Sequence, residues 1–365
     1  MPNDPAAMSE VERTASKFAS RHVEPAAAKA DHEDPRFPAE AFAAGIEAGC
    51  DRCALPENVG GHGFAMLDLA SLLSILARTC AGHAMVFGVQ AAVLRSMLEI
   101  KGAERIVKTI LDSGRPLAVT LCDPLDSGGP DAVLTAEPGK GALALRGDAL
   151  AINAAPNGYC LVFARAGGET IALMADGLGS DFGLKLESVL GLRAMPIASC
   201  SFSGLAVPDS ALVARGSSAD RLYDALLANL SFCVIAIASG VAESAYKKAI
   251  AYAAERVQGG KAIIDHSHIR SILGAMAAGV EAASAVARCA AAQAPEVFSA
   301  LTQKASVTGT TVAICTDAVQ VLGGYGYMRD FGLEKMMRDA AMLALLPISN
   351  ARAEQRIIAM EKARL

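Results

Sequence analysis

Residues 252–276 read YAAERVQGGKAIIDHSHIRSILGAM, and this stretch decides how the chain around it is organised. A helical pattern runs up to Arg256, a glycine pair at 259–260 interrupts it, and a second helical pattern begins near residue 265. Glycines at a helix end can serve as C-caps, and they also let the backbone approach a ligand closely. The stretch therefore predicts two helices joined by a turn that carries an exposed arginine.

A similar pattern occurs at residues 320–341, which read QVLGGYGYMRDFGLEKMMRDAA, where a second Gly-Gly pair ends another helical pattern. Four long helical segments are predicted near 222–257, 265–293, 296–322 and 332–346. Together they predict a C-terminal four-helix bundle over 221–365.

Two further regions precede the bundle. Residues 116–220 contain short apolar runs separated by Gly, Pro, Asp and Asn, which is typical of strands in a small antiparallel β domain. Residues 1–115 show apolar positions at helical spacing and predict an N-terminal helical domain. The expected fold is α+β, in the order helical domain, β domain, helical bundle.

Composition excludes several functional classes. The net charge is −5 with acids and bases interspersed, so no basic stripe suggests nucleic-acid binding. The longest apolar run near a helix start is FCVIAIA (232–238), well short of the roughly 18 residues that a membrane span needs. The first residues are acidic and lack the apolar region of a signal peptide. We expect an oligomeric protein without membrane partners.

The cysteines indicate a compartment but no metal. Nine cysteines, an odd number scattered through apolar contexts, are typical of reduced thiols in a cytoplasmic protein. Cys50 and Cys53 form a single CDRC without a second ligand pair, and His266 and His268 are spaced to face different sides of a helix. We predict a cytoplasmic protein without a metal site.

Five segments in sequence order make the chain resemble the acyl-CoA dehydrogenase family, whose members are FAD enzymes. They are ALPENVGGHGF, LEIKGAERIVKTILDSGRPLAVTLCDP, LGLRAMPIASCSFSGLAVPDSALV and the two stretches quoted above. The family desaturates acyl-CoA thioesters between the α and β carbons and builds each flavin site from two subunits. The resemblance implies FAD, an acyl-CoA substrate and an electron-transfer flavoprotein as electron acceptor.

One group of implied site residues faces a neighbouring subunit's FAD. Arg256 matches the family's arginine, and Gln320, Gly323 and Gly324 match a Gln-x-x-Gly-Gly turn that contacts the pyrophosphate and adenosine. A guanidinium can pair bidentately with phosphate oxygens, and glycines let backbone amides approach an anion. Taken singly, each feature is also typical of an exposed arginine or an ordinary helix end.

A second group should hold the isoalloxazine ring of the chain's own flavin, and it departs from the family pattern. Asp123 and Pro124 replace a Glu-Pro pair, and Cys122 stands where a flavin-bonding threonine is usual. Ala151 stands at the position of a tryptophan and Asn153 at that of a threonine. The chain has no tryptophan at all. These positions therefore lack the side chains with which the family holds the flavin ring.

The catalytic carboxylate implied by the resemblance is missing at both usual positions. Counting on from the Arg-Asp-Ala motif at 338–340 reaches Pro347, which has no proton-accepting side chain. Counting back from Arg256 reaches Leu230, next to Ser231, which replaces a substrate-side arginine. The nearest other acids are Asp224, Glu243 and Glu354. We assign no catalytic residue to this chain.

These selective losses favour a non-catalytic subunit of a heteromeric acyl-CoA dehydrogenase. A sister subunit, in an expected α2β2 assembly, would supply the carboxylate and hold the flavin ring. Three alternatives stay open: a self-sufficient homotetrameric dehydrogenase with an unconventional base, a non-oxidative acyl-CoA lyase, and a non-enzymatic acyl-CoA-binding scaffold.

Overall fold

The structure is a computed structural model that describes residues 8–32, 36–121, 134–139, 141–177 and 182–364. Its N-terminal part is helical, as predicted. The helices are α1 Glu10–Phe18, α2 Glu24–His32, α3 Ala39–Glu47, α4 Met66–Thr79, α5 Ala81–Met97 and α6 Glu104–Ser113, with a π-helical segment Ala19–Val23 before α2. Helix α5 is buried along almost its whole length, so it forms the centre of this part rather than its surface.

The middle part is one sheet. Its strands are β1 Leu117–Thr120, β2 Thr135–Pro138, β3 Ala142–Ile152, β4 Tyr159–Ala166, β5 Glu169–Asp176, β6 Lys185–Leu186, β7 Ile197–Pro208 and β8 Leu212–Arg215. The order is β6-β7-β3-β1-β4-β5-β8, and β2 pairs with both β3 and β4.

The expectation of a purely antiparallel domain needs a correction. β1 and β2 are each antiparallel to β3 but parallel to β4, so the sheet is mixed. The reason is topological: β3 and β4 run in opposite directions, so any strand that pairs with both must be parallel to one of them. Sequence periodicity reports alternation along a strand and is silent on the direction of its neighbours.

The C-terminal part contains the four predicted long segments and one more helix. They are α7 Ser217–Glu255, α8 Ser267–Ala292, α9 Val297–Leu322, α10 Leu333–Leu343 and α11 Asn350–Arg364. A small hairpin, β9 Val257–Gln258 and β10 Lys261–Ala262, joins α7 to α8. Helix α10 ends three residues before the predicted limit, and α11, which was not predicted separately, packs against α9.

Three helical segments are long and apolar enough to cross a membrane: α7, α8, and α9 together with the turn after it. In α7 the apolar window is 94% buried within the protein, which explains its hydrophobicity by packing at the bundle centre. In α8 only 22% of the window is buried. The absence of a membrane partner therefore stays a prediction.

An ionic cluster holds the three parts together. The Arg338 guanidinium donates to Asp31 Oδ1 and Oδ2 at 3.0 and 2.7 Å and to the Leu190 carbonyl at 2.9 Å. Asp339 Oδ1 accepts from the Leu192 amide at 2.6 Å. The motif at 338–340 therefore clamps α10 to α2 and to the loop before β7, and so fixes the bundle relative to the sheet.

Candidate functional site

The C-terminal end of α7 presents Arg256 to solvent. The residue leaves the helix with φ −73° and ψ 119°, and its amide still donates to the Tyr252 carbonyl. Gly259 and Gly260, at φ +61° and +81°, then reverse the chain in the β9–β10 hairpin. Glycine adopts such positive φ angles without strain, so the chain can reverse direction directly after the exposed Arg256.

The C-terminal end of α9 presents an open glycine turn. Gly323 has φ +59°, and a Cβ placed on Gly323 or on Gly324 would meet no atom within 4 Å. Gln320 lies one turn earlier on the helix and is exposed. Because no side chain covers this backbone, its peptide groups are accessible to a ligand.

The two helix ends meet around one cavity of 870 Å³. All four predicted residues line it: Arg256, Gln320, Gly323 and Gly324. The Arg256 guanidinium carbon lies 5.8 Å from the centre of the Tyr325 ring, and that ring also packs near Tyr252. The structure thus brings together residues that lie far apart in sequence.

The lining of this cavity carries positive charge that suits a phosphate group. Among the described residues, Arg256 has no carboxylate within 4 Å, so its positive charge is available to an anion. Helix α8 begins at Ser267 beside the cavity, and His266 makes no side-chain cap there, so the helix N-terminus adds partial positive charge. Sequence reasoning missed this terminus and the Tyr325 ring. The helix start after residue 265 could have indicated the first.

Family models match both helical parts of the chain. The model described as "Acyl-CoA dehydrogenase, N-terminal domain" matches residues 6–113, and "Acyl-CoA dehydrogenase, C-terminal domain" matches residues 223–346. A benzylmalonyl-CoA dehydrogenase of Aromatoleum aromaticum is 31% identical over 90% of this chain and 91% of that protein. The chain belongs to the acyl-CoA dehydrogenase family.

Other relatives and solved structures agree on the fold. A cyclohex-1-ene-1-carbonyl-CoA dehydrogenase of Geobacter metallireducens is 28% identical over 91% of this chain and 92% of that protein. Butyryl-CoA dehydrogenase from Megasphaera elsdenii superposes with a TM-score of 0.86 at 21% identity, covering 97% of this chain and 98% of that chain. Members of this family use FAD. The four lining residues are suited to its diphosphate half, and their assignment to FAD stays a prediction.

In this acyl-CoA dehydrogenase chain, the described residues at the predicted flavin-ring positions are buried in the protein interior. Asn153 is fully buried, and its Nδ2 donates to the carbonyls of Leu117 at 3.1 Å and Val86 at 3.4 Å. Ala151 is also fully buried in β3. Both amide hydrogens of Asn153 are thus directed at the protein itself. Cys122, Asp123 and Pro124 lie outside the described residues.

Both positions of the family's catalytic carboxylate are buried and apolar. Leu230 is 1% exposed in the middle of α7, and Pro347 is buried after α10. Ser231 is 0% exposed, and its hydroxyl has no hydrogen-bond partner among the described residues. Neither Leu230 nor Pro347 can accept a proton.

The acids named as weak substitutes have other partners or lie on the surface. Asp224 pairs with Arg356 at 2.6 Å. Glu243 pairs with Arg78 at 2.7 Å and with Lys247 at 2.6 Å. Glu354 is exposed on α11. Cations thus engage Asp224 and Glu243, and the assignment of no base to this chain stays a prediction.

A buried lysine, missed by sequence reasoning, holds the segment around Pro347. Lys304 on α9 is fully buried, and its Nζ donates to the carbonyls of Ala344 at 3.1 Å and Ile348 at 2.6 Å and to Asn350 Oδ1 at 2.8 Å. Burial lowers the pKa of Lys304 to about 7, against a smaller opposing effect of Glu354. The apolar periodicity of 300–311 placed this lysine on a buried face and could have flagged it.

Proposed function

We propose that this chain is the non-catalytic subunit of a heteromeric acyl-CoA dehydrogenase and completes the flavin site of a sister subunit. One observation carries the proposal. The cavity that includes Arg256 and Gly323 is open and cationic, whereas the base positions, Leu230 and Pro347, are buried and apolar. Loss of catalytic residues on one side, with the other side complete, is expected when a second chain supplies the chemistry.

The residues of this chain would act on the diphosphate and adenosine. Arg256 would pair with phosphate oxygens, and the open turn at Gly323 and Gly324 would let backbone approach the same anion. Tyr325 would offer a ring face at the end of the cavity. FAD, when bound, supplies the hydride acceptor for α,β-desaturation.

Family membership supports an acyl-CoA thioester as the substrate and an electron-transfer flavoprotein as the electron acceptor. We further propose an α2β2 heterotetramer, because a sister subunit would supply the base, and a cytoplasmic location, because the cysteines are typical of reduced thiols. Alanine-rich α8, whose apolar window is 22% buried within this chain, offers a face for subunit packing in that assembly.

The deciding experiment compares the chain purified alone with the chain co-expressed with its genomic neighbour. We expect colourless protein alone, FAD absorbance only with the partner, and loss of that absorbance in Arg256→Ala. Arg105→Ala is the matched control, because Arg105 is an exposed arginine on α6 that does not line the cavity. A yellow homotetramer with one FAD per chain would contradict the proposal, and absence of flavin from every complex would favour a scaffold.

A second candidate is a self-sufficient dehydrogenase that needs no α-proton base. Benzylmalonyl-CoA, after which the 31% identical relative is named, is a thioester with a carboxylate on the α carbon. When such a carboxylate leaves as CO₂, the electron pair of the broken C–C bond remains on the α carbon. This pair replaces the one that proton abstraction would release. Buried, apolar Leu230 and Pro347 would then be compatible with catalysis.

An assay with paired substrates separates the two candidates. The chain would be given an α-carboxylated acyl-CoA such as benzylmalonyl-CoA and, in parallel, the same acyl-CoA without the α-carboxylate. CO₂ release together with reduction of an electron acceptor by the chain alone, on the first substrate only, would favour the second candidate. Inactivity of the chain alone on both favours the heteromeric subunit.

A further inference from the structure

A second cationic cavity lies where the three parts of the chain meet. It measures 520 Å³ and is bounded by the end of α2, the loop before β7, and α10 with the turn that precedes it. Three arginines line it: Arg193 from the loop, Arg329 from the turn and Arg338 from α10. It shares no lining residue with the nucleotide cavity around Arg256, so it is a separate candidate site.

The two carboxylates in the described lining of this cavity are engaged by one of the arginines. Arg338 Nη2 lies 2.7 Å from Asp31 Oδ2 and 2.7 Å from Glu334 Oε2. The side chains of Asp31 and Glu334 keep only 3% and 15% exposure. Because both negative charges are paired and largely withdrawn from solvent, they oppose the entry of an anion only weakly.

The other two arginines supply the excess positive charge. Arg329 is exposed at the start of its turn, and no carboxylate of the described residues lies within 4 Å of its guanidinium. Arg193 is half-buried, and its Nη1 donates to the Val189 carbonyl at 3.2 Å, which holds the side chain against its own loop. Since three guanidiniums face two carboxylates, the described lining has a net positive charge.

The size and composition of the cavity suit an organic anion better than a bare ion. Its 520 Å³ falls within the range of roughly 300–1,000 Å³ that is typical of small-molecule sites. Leu190, which is 66% exposed, and Val189 add apolar surface to the lining, and Ser188 adds a hydroxyl group. The lining can therefore bind a charged group and an apolar body in one molecule.

Guanidinium groups on two separate elements favour a phosphate group over a carboxylate. A carboxylate has two oxygens in one plane, and a single arginine can satisfy both in a bidentate pair. A phosphate monoester presents three strong acceptor oxygens and close to two negative charges near neutral pH. Arg193 and Arg329 come from different elements, so each can donate to different oxygens of such a group.

We propose that this cavity binds a small phosphorylated organic molecule, with Arg329 and Arg193 as ligands of its phosphate group. The apolar body of the molecule contacts Leu190 at the rim. A ligand here joins the loop before β7 to the turn before α10, and binding to the folded chain alone raises its stability. The proposal is independent of the proposed function, because it uses neither the nucleotide cavity nor the base positions.

The test is calorimetric titration of the full chain with phenyl phosphate at constant ionic strength. The titrated chain carries Arg256→Ala, because the nucleotide cavity is also cationic and would otherwise bind the probe. We expect one site per chain and a higher thermal unfolding midpoint in the presence of the probe. Benzyl alcohol, which carries no charge, should bind at least about tenfold more weakly. Constant ionic strength keeps general charge screening equal in all titrations.

Variants of Arg329, an exposed residue whose replacement leaves the core intact, locate the binding site. Adding Arg329→Ala should weaken the binding of phenyl phosphate at least about tenfold, and Arg329→Lys should retain part of the affinity. Arg105→Ala, on α6 and outside both cavities, should leave the affinity unchanged. Two outcomes would overturn the proposal: equal affinity with and without the Arg329 side chain, and phenyl phosphate binding no tighter than benzyl alcohol. Neither outcome bears on the flavin test of Arg256.

Discussion

One helix, α7, passes through two regions with opposite properties. In the open region, at the C-terminal end of α7, Arg256 is exposed beside a cavity of 870 Å³, with open glycine backbone opposite. In the closed region, Leu230 and Ser231 of α7 are fully buried, and Pro347 is buried in a segment held by Lys304. A family scaffold can therefore keep one half of a ligand site while the other half becomes ordinary core.

The largest expected effect tests the closed region through Lys304. Lys304→Met removes three hydrogen bonds, to the carbonyls of Ala344 and Ile348 and to Asn350 Oδ1, and puts an apolar side chain against these half-buried oxygens. We expect a loss of about 3 kcal/mol in the free energy of unfolding, measured by urea titration. Lys108→Met, at an exposed lysine of α6, is the control and should change little. An equally stable Lys304→Met would mean that the closed region does not depend on this lysine.

The same lysine predicts a pH dependence. Its pKa is about 7 in the folded chain and 10.5 when unperturbed, so the unfolded chain binds the proton more tightly. The contribution of this group to stability should therefore rise as pH increases from about 7 toward 10. Urea titrations at several pH values should show this rise in the unaltered chain and its loss in Lys304→Met.

The next effect tests the open region. Arg256→Ala should weaken FAD binding by the complex by about 2 kcal/mol, roughly 30-fold, because a charged hydrogen-bond donor to phosphate is lost. Arg256→Lys should retain part of the affinity, since it keeps the charge but not the bidentate fork. Flavin fluorescence titration measures both. Unchanged affinity in Arg256→Ala would remove the cavity from the flavin site.

Two neighbouring glycines separate ligand access from packing. A Cβ on Gly324 meets no atom within 4 Å, whereas one on Gly326 would lie 2.4 Å from the Val319 carbonyl oxygen. Gly326→Ala should therefore lower stability by about 2 kcal/mol. Gly324→Ala should leave the thermal midpoint unchanged and weaken FAD binding, since the methyl group occupies the approach to the backbone. Equal behaviour of the two variants would contradict this division.

A smaller effect is expected for the ion pair between Asp31 and Arg338, which joins α2 to α10. Burial would raise the pKa of Asp31, but hydrogen bonds from Arg338 and the positive charges of Lys335 and Arg338 lower it overall. Its stabilisation is present above pH 4 and is lost as pH falls through the lowered folded-state value. Asp31→Asn should cost about 1 kcal/mol at pH 7 and make stability less sensitive to acid. Urea titrations at pH 7 and pH 3 would show it.

The smallest effect is expected when a carboxylate is put back into the closed region. Pro347→Glu restores a carboxylate at a family base position, yet we expect no dehydrogenase activity from the chain alone, because Asn153 already uses its amide hydrogens on Leu117 and Val86. The assay follows acceptor reduction with an acyl-CoA, after a melting curve has established that the variant is folded. Activity gained by this single change would show that the closed region can still hold a flavin ring.

Much of this architecture was accessible from sequence pattern. The positions of α7 to α9 follow from apolar periodicity and from the Gly-Gly pairs, and both signals are local along the chain. The parallel pairing of β1 with β4, the Lys304 network and the ion pair between Arg338 and Asp31 are not local. They depend on contacts between segments that are distant in sequence, and periodicity along the chain carries no information about such contacts.

By itself, the sequence determined the three-part order of the chain, the absence of an acid at Leu230 and Pro347, and the presence of Arg256, Gln320, Gly323 and Gly324. These are statements about residue type and spacing. Only the tertiary structure decided that those four line one cavity, that Arg338 binds Asp31, and that the Asn153 amide turns inward. The reason is physical: a side chain's charge and shape are local properties, whereas its exposure and its partners are set by which distant segments pack around it.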